Sequence, residues 1–395
     1  MSMPGVPIGA DLPSISDARR ARSPGEHPVR EMLRQARASL SLEKFQQIEG
    51  LLRQAMGFAP RSGECLHLVG RVHHQLDNNI VALRTLQEAV TGGRQTPAIF
   101  NDMGNVLMAL AQYDAAASAY GVAIRLFPTL PQLYENQVRA LMRAGRRDAA
   151  EAALRQALDH CPGDPVVGHM LAAVSGRNVA ERASNEYVRQ VFDRFADEFD
   201  RKLASLRYSA PEHVAATALE VLAGGMARRI LDAGCGTGLC GPKLRPLGER
   251  LEGVDLSPRM LARAQARGCY DNLTADEIGA FLALHPRSFD LIVAADVFCY
   301  FGDLSSLFCR LAGALQPDGH LIFTLEALRE DGVELLPSGR YAHGRAHVAA
   351  AAATAGLRVE RLESIVLRHE FGAPVEGYLA LLTADRVSGR LGGSR

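Results

Sequence analysis

The 395 residues, 47% hydrophobic and 22% charged, suffice for a buried core and for two or three domains at about 150 residues each. Forty-four basic residues balance forty-four acidic ones, so the chain lacks the basic footprint of a nucleic-acid binder. Seven cysteines without Cys-x-x-Cys or His/Cys ligand spacing argue against zinc and against a disulfide framework, and no apolar run reaches the roughly 18 residues of a membrane span. No apolar signal core follows the N-terminal charges, so the expected setting is cytoplasmic, with reduced thiols and no bound metal.

Residues 1–28 carry Pro4, Gly5, Pro7, Gly9, Pro13, Pro24, Gly25 and Pro28, plus Arg19, Arg20 and Arg22. No apolar period survives there, and the stretch reads as a disordered leader.

Residues 29–175 repeat with a 34-residue period, starting at Val29, Gly63, Pro97, Pro131 and, for a partial unit, Pro165. Position 27 is always alanine: Ala55, Ala89, Ala123 and Ala157. Position 20 is Ile48, Ala82, Ala116 and Ala150; position 8 is Ala36, Gly70, Gly104 and Val138; position 24 is Leu52, Leu86, Tyr120 and Leu154. Pro60, Pro128 and Pro162 close their units, while Arg94 breaks the pattern in the second. Small residues let paired helices approach, and proline stops the second helix. This period and pattern resemble the tetratricopeptide repeat, which implies helix pairs stacked into a solenoid with a concave binding face. The expected partner is a protein or peptide. Gln75, Asn78, Asn79, Asn101, Asn105, Asn136 and Arg139 are the polar residues placed to meet an extended peptide or to stay solvated, and homodimerisation is the alternative use of the array.

Residues 176–209 read as a helical linker. Val188, Phe192, Phe195, Phe199, Leu203 and Leu206 fall on one helix face. That face either packs on the next domain or closes over a ligand as an aromatic lid, with Tyr208 as a further wall residue.

From residue 210 to 386, strands and helices alternate. A helix spans Pro211 to Ala223 and stops at Gly224-Gly225; strand one is Arg229 to Asp232. Gly234, Gly236 and Gly238 form a loop that a ligand approaches closely, and Pro242 delays the next helix to about Lys243. Strand two, Leu251 to Val254, ends in Asp255, the carboxylate a nucleoside's ribose hydroxyls need. Strand three is Asp271 to Ala275, ending at Asp276; strand four runs from Ser288 to Asp296; strand five is His320 to Leu325 after a turn at Gln316–Gly319. A helix spans Ala346 to Ala355, and Leu357–Leu362 with Val375–Leu382 form the last strand pair. The alternation predicts a parallel sheet with helices on both faces, and ligands beyond its strand ends. Residues 387–395 read as a flexible tail.

The loop is not a P-loop, because Pro242-Lys243 supplies no Gly-Lys-Ser/Thr, and Leu239 stands where a dinucleotide fold wants glycine. Asp232 ahead of the glycines would repel a pyrophosphate and suit a cationic ammonium. With Gly253-Val254-Asp255-Leu256-Ser257-Pro258-Arg259-Met260-Leu261, the domain resembles the class I S-adenosylmethionine-dependent methyltransferases. Phe192-Asp193-x-Phe195-Ala196, Ala295-Asp296-Val297-Phe298-x-Tyr300 and Ser338-Gly339-Arg340-Tyr341-Ala342-His343 extend the resemblance to bacterial methyltransferases fused to tetratricopeptide repeats. The expected fold class is therefore an α-solenoid followed by an α/β, Rossmann-like methyltransferase domain. The resemblance implies S-adenosylmethionine as cofactor, held by Asp232, Gly234, Cys235, Gly236, Thr237, Gly238, Asp255, Leu256, Met260, Ala295 and Asp296, with Asp276 near the adenine amine. It names no substrate.

A sulfonium methyl is already activated, so placement supplies much of the rate and a base is optional. The base candidate is His343, expected in a loop with Tyr341 and Arg340 at its side. Arg340 reads as a grip for a substrate carboxylate or phosphate. Tyr300 reads as an acceptor wall and His347 as structural. Three functions compete: a methyltransferase whose repeats recruit a protein, peptide or carrier-bound acceptor; a small-metabolite methyltransferase with dimerising repeats; and a cofactor-binding scaffold without catalysis.

Overall fold

The computed structural model describes residues 63–222, 225–370 and 372–384. The leader, the repeat unit from Val29, Gly224 and the tail lie outside them. The chain divides into two compact units between Gly168 and His169.

The first unit consists of helix pairs: α1 (Gly63–Gln75) with α2 (Asn79–Thr91), α3 (Pro97–Ala109) with α4 (Tyr113–Leu126), and α5 (Pro131–Arg143) with α6 (Arg147–His160). The division falls inside α7 (Pro165–Ser175). Size at position 8 is set by position 24. A Cβ on Gly104 would lie 2.4 Å from the Tyr120 ring, and one on Gly70 would lie 2.7 Å from Leu86. The alanines at positions 20 and 27, from Ala82 to Ala157, are fully buried. Each pair turns on a left-handed residue, Asp77, Ala111 or Gly145, at the same place in the repeat.

In the second unit, α8 (Asn185–Phe195) starts on a Ser184 cap whose hydroxyl accepts the Tyr187 N–H at 3.1 Å. It is followed by α9 (Phe199–Ser205) and α10 (Ala210–Val221). The sheet then opens with β1 (Ala227–Ala233). After it come a single turn, α11 (Gly241–Leu244), and a 3₁₀ turn, Arg245–Leu247. Pro242 sits in the first turn of α11, where its missing N–H costs nothing, so the helix starts earlier than the expected Lys243.

The remaining elements are β2 (Gly248–Asp255), α12 (Pro258–Ala266), β3 (Asn272–Ala275), α13 (Ile278–Ala283), β4 (Phe289–Ala294), α14 (Ser305–Ala314) and β5 (Leu315–Ala327). They continue with β6 (Val333–Leu335), β7 (Tyr341–His343), α15 (Arg345–Thr354), β8 (Leu357–Glu370) and β9 (Ala373–Ala384). β3, β2, β1, β4 and β5 pair in that order, all parallel. β9 joins β5 antiparallel and carries β8 on its other side.

Alternation sends Leu231, Ile292 and Phe323 to one core layer and Ile230, Leu291 and Ile322 to the other. Each such side chain contributes about 1.5–3 kcal/mol on burial. The parallel strands end at one edge, where Gly234, Asp255 and Ala295 meet. The sequence places Arg340–His343 in a loop, but the structure makes Tyr341–His343 a strand. β6 and β7 form a short hairpin, and β7 adds parallel to Glu326 and Ala327 at the end of β5.

Candidate active site

A cleft of about 1090 Å³, measured out to its open mouth, lies beyond the carboxyl ends of β1, β2 and β4. Its floor begins at the glycine loop. Gly234 has φ +73° and touches the β4 side, where a Cβ would stand 2.5 Å from Val297. Gly236 has φ +54°, and a Cβ there would meet nothing within 4 Å, so its backbone faces open space. Both line the cleft.

Asp255 clamps this loop. Its Oδ2 accepts the Gly236 N–H at 2.9 Å and its Oδ1 accepts the Ser257 N–H at 2.8 Å. Burial pushes the carboxyl up to about 6, against the lowering effect of those two N–H groups. Leu256 and Ile278 add apolar walls beside it. Carboxylate, open glycine backbone and apolar walls suit a nucleoside: hydroxyls on the acid, the base between aliphatic side chains.

Several expected cofactor contacts are placed elsewhere. Asp232 is 1% exposed, and its Oδ2 accepts the Tyr270 hydroxyl at 2.7 Å. Burial drives its carboxyl up to about 7, so it supports the loop from beneath rather than facing a ligand's ammonium. Cys235 and Met260 are buried, and a Cβ on Gly238 would meet Tyr270. Asp276 accepts the Glu277 N–H at 2.7 Å. Glu277 lines the cleft in its stead and pairs with Arg182 at 2.7 Å.

Thr237 is tied to α9: its hydroxyl donates to Asp200 at 2.5 Å. Phe192, Phe195, Phe199, Leu203 and Leu206, from α8, α9 and the turn after them, line the cleft on its apolar side. A polar latch fastens the two helices. Asp193 accepts the Ser257 hydroxyl at 2.5 Å, Asp197 pairs with Arg259 and Arg263 at 2.7 and 2.6 Å, and Asp200 pairs with Arg267. The three acids share a helical spacing, as do the three arginines of α12 and its end. Such half-exposed pairs are worth about 0.2–1 kcal/mol each and fade with salt. Replacing Asp193, Asp197 and Asp200 together by Asn is expected to weaken donor binding by about tenfold at low ionic strength. Titrations at about 1 M salt should shrink the difference; a salt-independent loss would mean that the latch acts otherwise than by charge.

At the other end of the cleft lie Tyr208, Tyr300, Asp296, Arg340, Arg368 and Glu370. Asp296, two residues after β4, has φ +60°. It pairs with Arg340 at 2.8 Å and with Arg368 at 3.4 Å. Glu326 takes both arginines, Arg340 at 3.2 Å, and Glu370 pairs with Arg368 at 2.8 Å. Burial would raise the Asp296 carboxyl, but Arg340 and Arg368, with the Cys299 thiol adding weakly, hold it below the usual range. Arg340 is thus engaged by carboxylates of its own chain. Arg368, Glu370 and Glu326 escaped the sequence reading; the available signal was a charge inside an apolar strand.

His343 is not at the cleft. It is fully buried in β7, its Nε2 lies 2.8 Å from the Phe301 carbonyl, and its Nδ1 is left without a partner. Burial, with His347 adding, lowers it to about 4, so it stays neutral and has no route to a substrate proton. Tyr341 is 2% exposed and donates to the Ala180 carbonyl at 2.7 Å. The two are pillars behind Arg340. Because the native imidazole resists protonation, stability is lost as pH falls from about 6.5 towards about 4. His343→Gln, which keeps a donor but does not titrate, should flatten that acid loss in thermal melts and leave donor affinity within about twofold.

Residues 231–323 match the family model described as "Methyltransferase domain", and residues 131–174 match one described as "Tetratricopeptide repeat". Demethylmenaquinone methyltransferase of Tropheryma whipplei (strain Twist) is 30% identical over 158 residues, which cover 39% of this chain and 62% of that one. Methyltransferase-like protein 27 of Homo sapiens is 41% identical over 90 residues, 22% and 37% of the two chains. The chain thus spans less than two thirds of these relatives. Magnesium protoporphyrin IX methyltransferase from Synechocystis PCC 6803, solved with bound SAM, aligns at 18% identity and TM-score 0.40, over 51% of this chain and 97% of that one. The sequence match over residues 231–323 and the chain's own parallel sheet order define a Rossmann-like methyltransferase domain. It is a class I S-adenosylmethionine-dependent methyltransferase domain, and tetratricopeptide repeats precede it. Among the described residues no helix is long and apolar enough to cross a membrane, and no group of three or more His, Cys, Asp or Glu is poised to hold a metal.

Proposed function

We propose that the chain is an S-adenosylmethionine-dependent methyltransferase whose repeats recruit a protein, peptide or carrier-bound acceptor. The observation that carries the donor site is the Gly236 N–H on Asp255, on the floor of a cleft that the phenylalanines of α8 and α9 line. Gly234, Gly236, Asp255, Leu256 and Ala295 hold the donor in this reading, and Thr237 and Asp232 support that set. The donor supplies a methyl group on sulfonium, open to in-line displacement. The protein's part is to position the acceptor and to exclude water, which in favourable systems supplies about 7–11 kcal/mol of barrier reduction. No base is assigned.

Residues 29–175 are assigned to recruitment, 176–209 to the lid and 210–386 to the reaction. All seven cysteines are free thiols, which suits a reducing, cytoplasmic setting. A second reading takes the acceptor as a small molecule and the repeats as a dimer contact. It draws on the apolar lid and on relatives named for small-molecule methylation, such as demethylmenaquinone methyltransferase. Incubating the intact chain with methyl-labelled S-adenosylmethionine and cell extract separates the two. Label in the protein fraction supports recruitment, label confined to the low-mass fraction supports the second reading, and no transfer overturns both.

A further inference from the structure

We propose that the acceptor atom is the oxygen of a hydroxyl group, carried on an apolar body and bound by Tyr208 and Tyr300. The inference rests on the donor site proposed above and concerns the opposite end of the same cleft. A buried tyrosine ordinarily gives its hydroxyl proton to a protein oxygen. Tyr270, Tyr341 and Tyr378 do so, to Asp232, Ala180 and Leu328. Tyr208 and Tyr300 line the cleft, and neither hydroxyl has a hydrogen-bond partner among the described residues. Burial raises both above the ordinary range, so both keep their protons and need an acceptor.

Both tyrosines are fixed by their backbones. Tyr300 closes the 3₁₀ turn Phe298–Tyr300 and is 9% exposed. Its ring stands edge-on to Phe192, with centroids 5.6 Å apart, and the Arg340 guanidinium lies 5.8 Å from its centre. Tyr208 follows Arg207, whose φ of +52° is uncommon for a residue with a side chain, and precedes Ser209, whose N–H is given to the Leu367 carbonyl of β8 at 3.1 Å. The Asp296 carboxylate is close enough to both hydroxyls to raise them further. Its Oδ2 takes Arg340 and Arg368, while Oδ1, buried in the cleft wall, takes no hydrogen bond. The Cys299 thiol, a weak donor, is directed to the Asp296 backbone carbonyl at 3.3 Å.

This end of the cleft thus offers two protons and one free carboxylate oxygen. A hydroxyl matches them, with one proton and two lone pairs. Its proton meets Asp296, one lone pair receives a tyrosine proton, and the other is left for the methyl carbon. A nitrogen that attacks with its only lone pair has none for the tyrosines. An ammonium has no lone pair, and a carboxylate has no proton to give. The neighbouring walls, Phe192, Phe199, Leu203 and Leu206, suit an aromatic or aliphatic body. In transfer, an oxygen lone pair forms the carbon–oxygen bond as the carbon–sulfur pair returns to sulfur. The oxygen, bearing both methyl and proton, is then a far stronger acid than any carboxyl, so Asp296 takes the proton despite its arginines. The proton passes to water as the ether leaves.

2-Naphthol, 2-naphthylamine and 2-naphthoate share one apolar body and differ in the group they present. Calorimetric titration of the full chain, saturated with S-adenosylhomocysteine, should show 2-naphthol binding about tenfold or more tighter than 2-naphthoate. With methyl-labelled S-adenosylmethionine, label should pass to 2-naphthol and to neither of the others. Tyr208→Phe and Tyr300→Phe should each weaken 2-naphthol by about tenfold and leave the affinity for S-adenosylhomocysteine within about twofold. Label on 2-naphthylamine or 2-naphthoate, or none on 2-naphthol, overturns the inference. So does 2-naphthol that binds no tighter than 2-naphthoate. Tyrosine variants that bind 2-naphthol as the wild type does, or that lose it together with S-adenosylhomocysteine, also overturn it. A chain that binds no S-adenosylhomocysteine would overturn the donor site itself.

Discussion

Asp255→Ala is expected to lower the affinity for S-adenosylmethionine by about 10²–10³-fold, without loss of fold stability at pH 8. On the proposed donor site, the affinity term is the loss of a charged acceptor for two ribose hydroxyls, at about 1.5–3 kcal/mol per charge-assisted bond. The loss of the Gly236 clamp adds to it. The stability term has the opposite sign. The folded carboxyl titrates at about 6, above its unfolded value near 3.9, so the native state favours its protonated form. That contribution is fully present at low pH and lost as pH rises through about 6. At pH 8 the wild type carries a buried, ionised carboxylate at a cost, and removing it relieves that cost. Calorimetry beside thermal melts would therefore show binding and stability moving apart. In the wild type, donor affinity should also weaken as pH drops below about 6, where the protonated acid no longer accepts both hydroxyls. An Asp255→Ala chain with wild-type affinity would refute the ribose assignment.

Arg368→Met should cost about 3–5 kcal/mol, because Glu326, Glu370 and Asp296 are left with one guanidinium among three buried carboxylates. For a unit of this size that corresponds to a fall in melting temperature of about 10 °C. The pH dependence identifies the cause. Burial raises Glu370 and Asp296, but the arginines hold both below the ordinary range, so their stabilising share is present above about pH 4 and lost as pH falls further. Without Arg368 their carboxyls rise and take up protons sooner, and the deficit of the variant should shrink between about pH 7 and 5. Adding Glu370→Gln should restore part of the loss. A deficit that is constant across this range would mean that Arg368 stabilises through packing alone.

The comparison of sequence with structure follows the range of the interactions. The strand before the glycine loop and the acid after β2 are legible because each is local, an apolar run ending in a residue of special chemistry. The parallel pairing of β1 and β2 brings Gly236 to Asp255. The repeat is legible because it is periodic, and Gly70 and Gly104 show the physical reason for their size. The orientation of a single side chain is not local. Asp232 reads as ligand-facing, yet Tyr270, thirty-eight residues on, turns it inward. β6 and β7 are three residues each, too short to show a period, and so His343 reads as an exposed loop residue although the end of β5 buries it. The charge cluster joins β4, β5, the loop before β7 and β8. Glu326 and Arg368 acquire meaning only once the sheet order sets them side by side.

Titrating the full chain with S-adenosylmethionine at pH 8 tests the donor site most directly. One molecule per chain, displaced by S-adenosylhomocysteine and lost in Asp255→Ala, is the expected result. A well-folded chain that gives no binding heat at any temperature tried, and no shift in melting temperature, would contradict it.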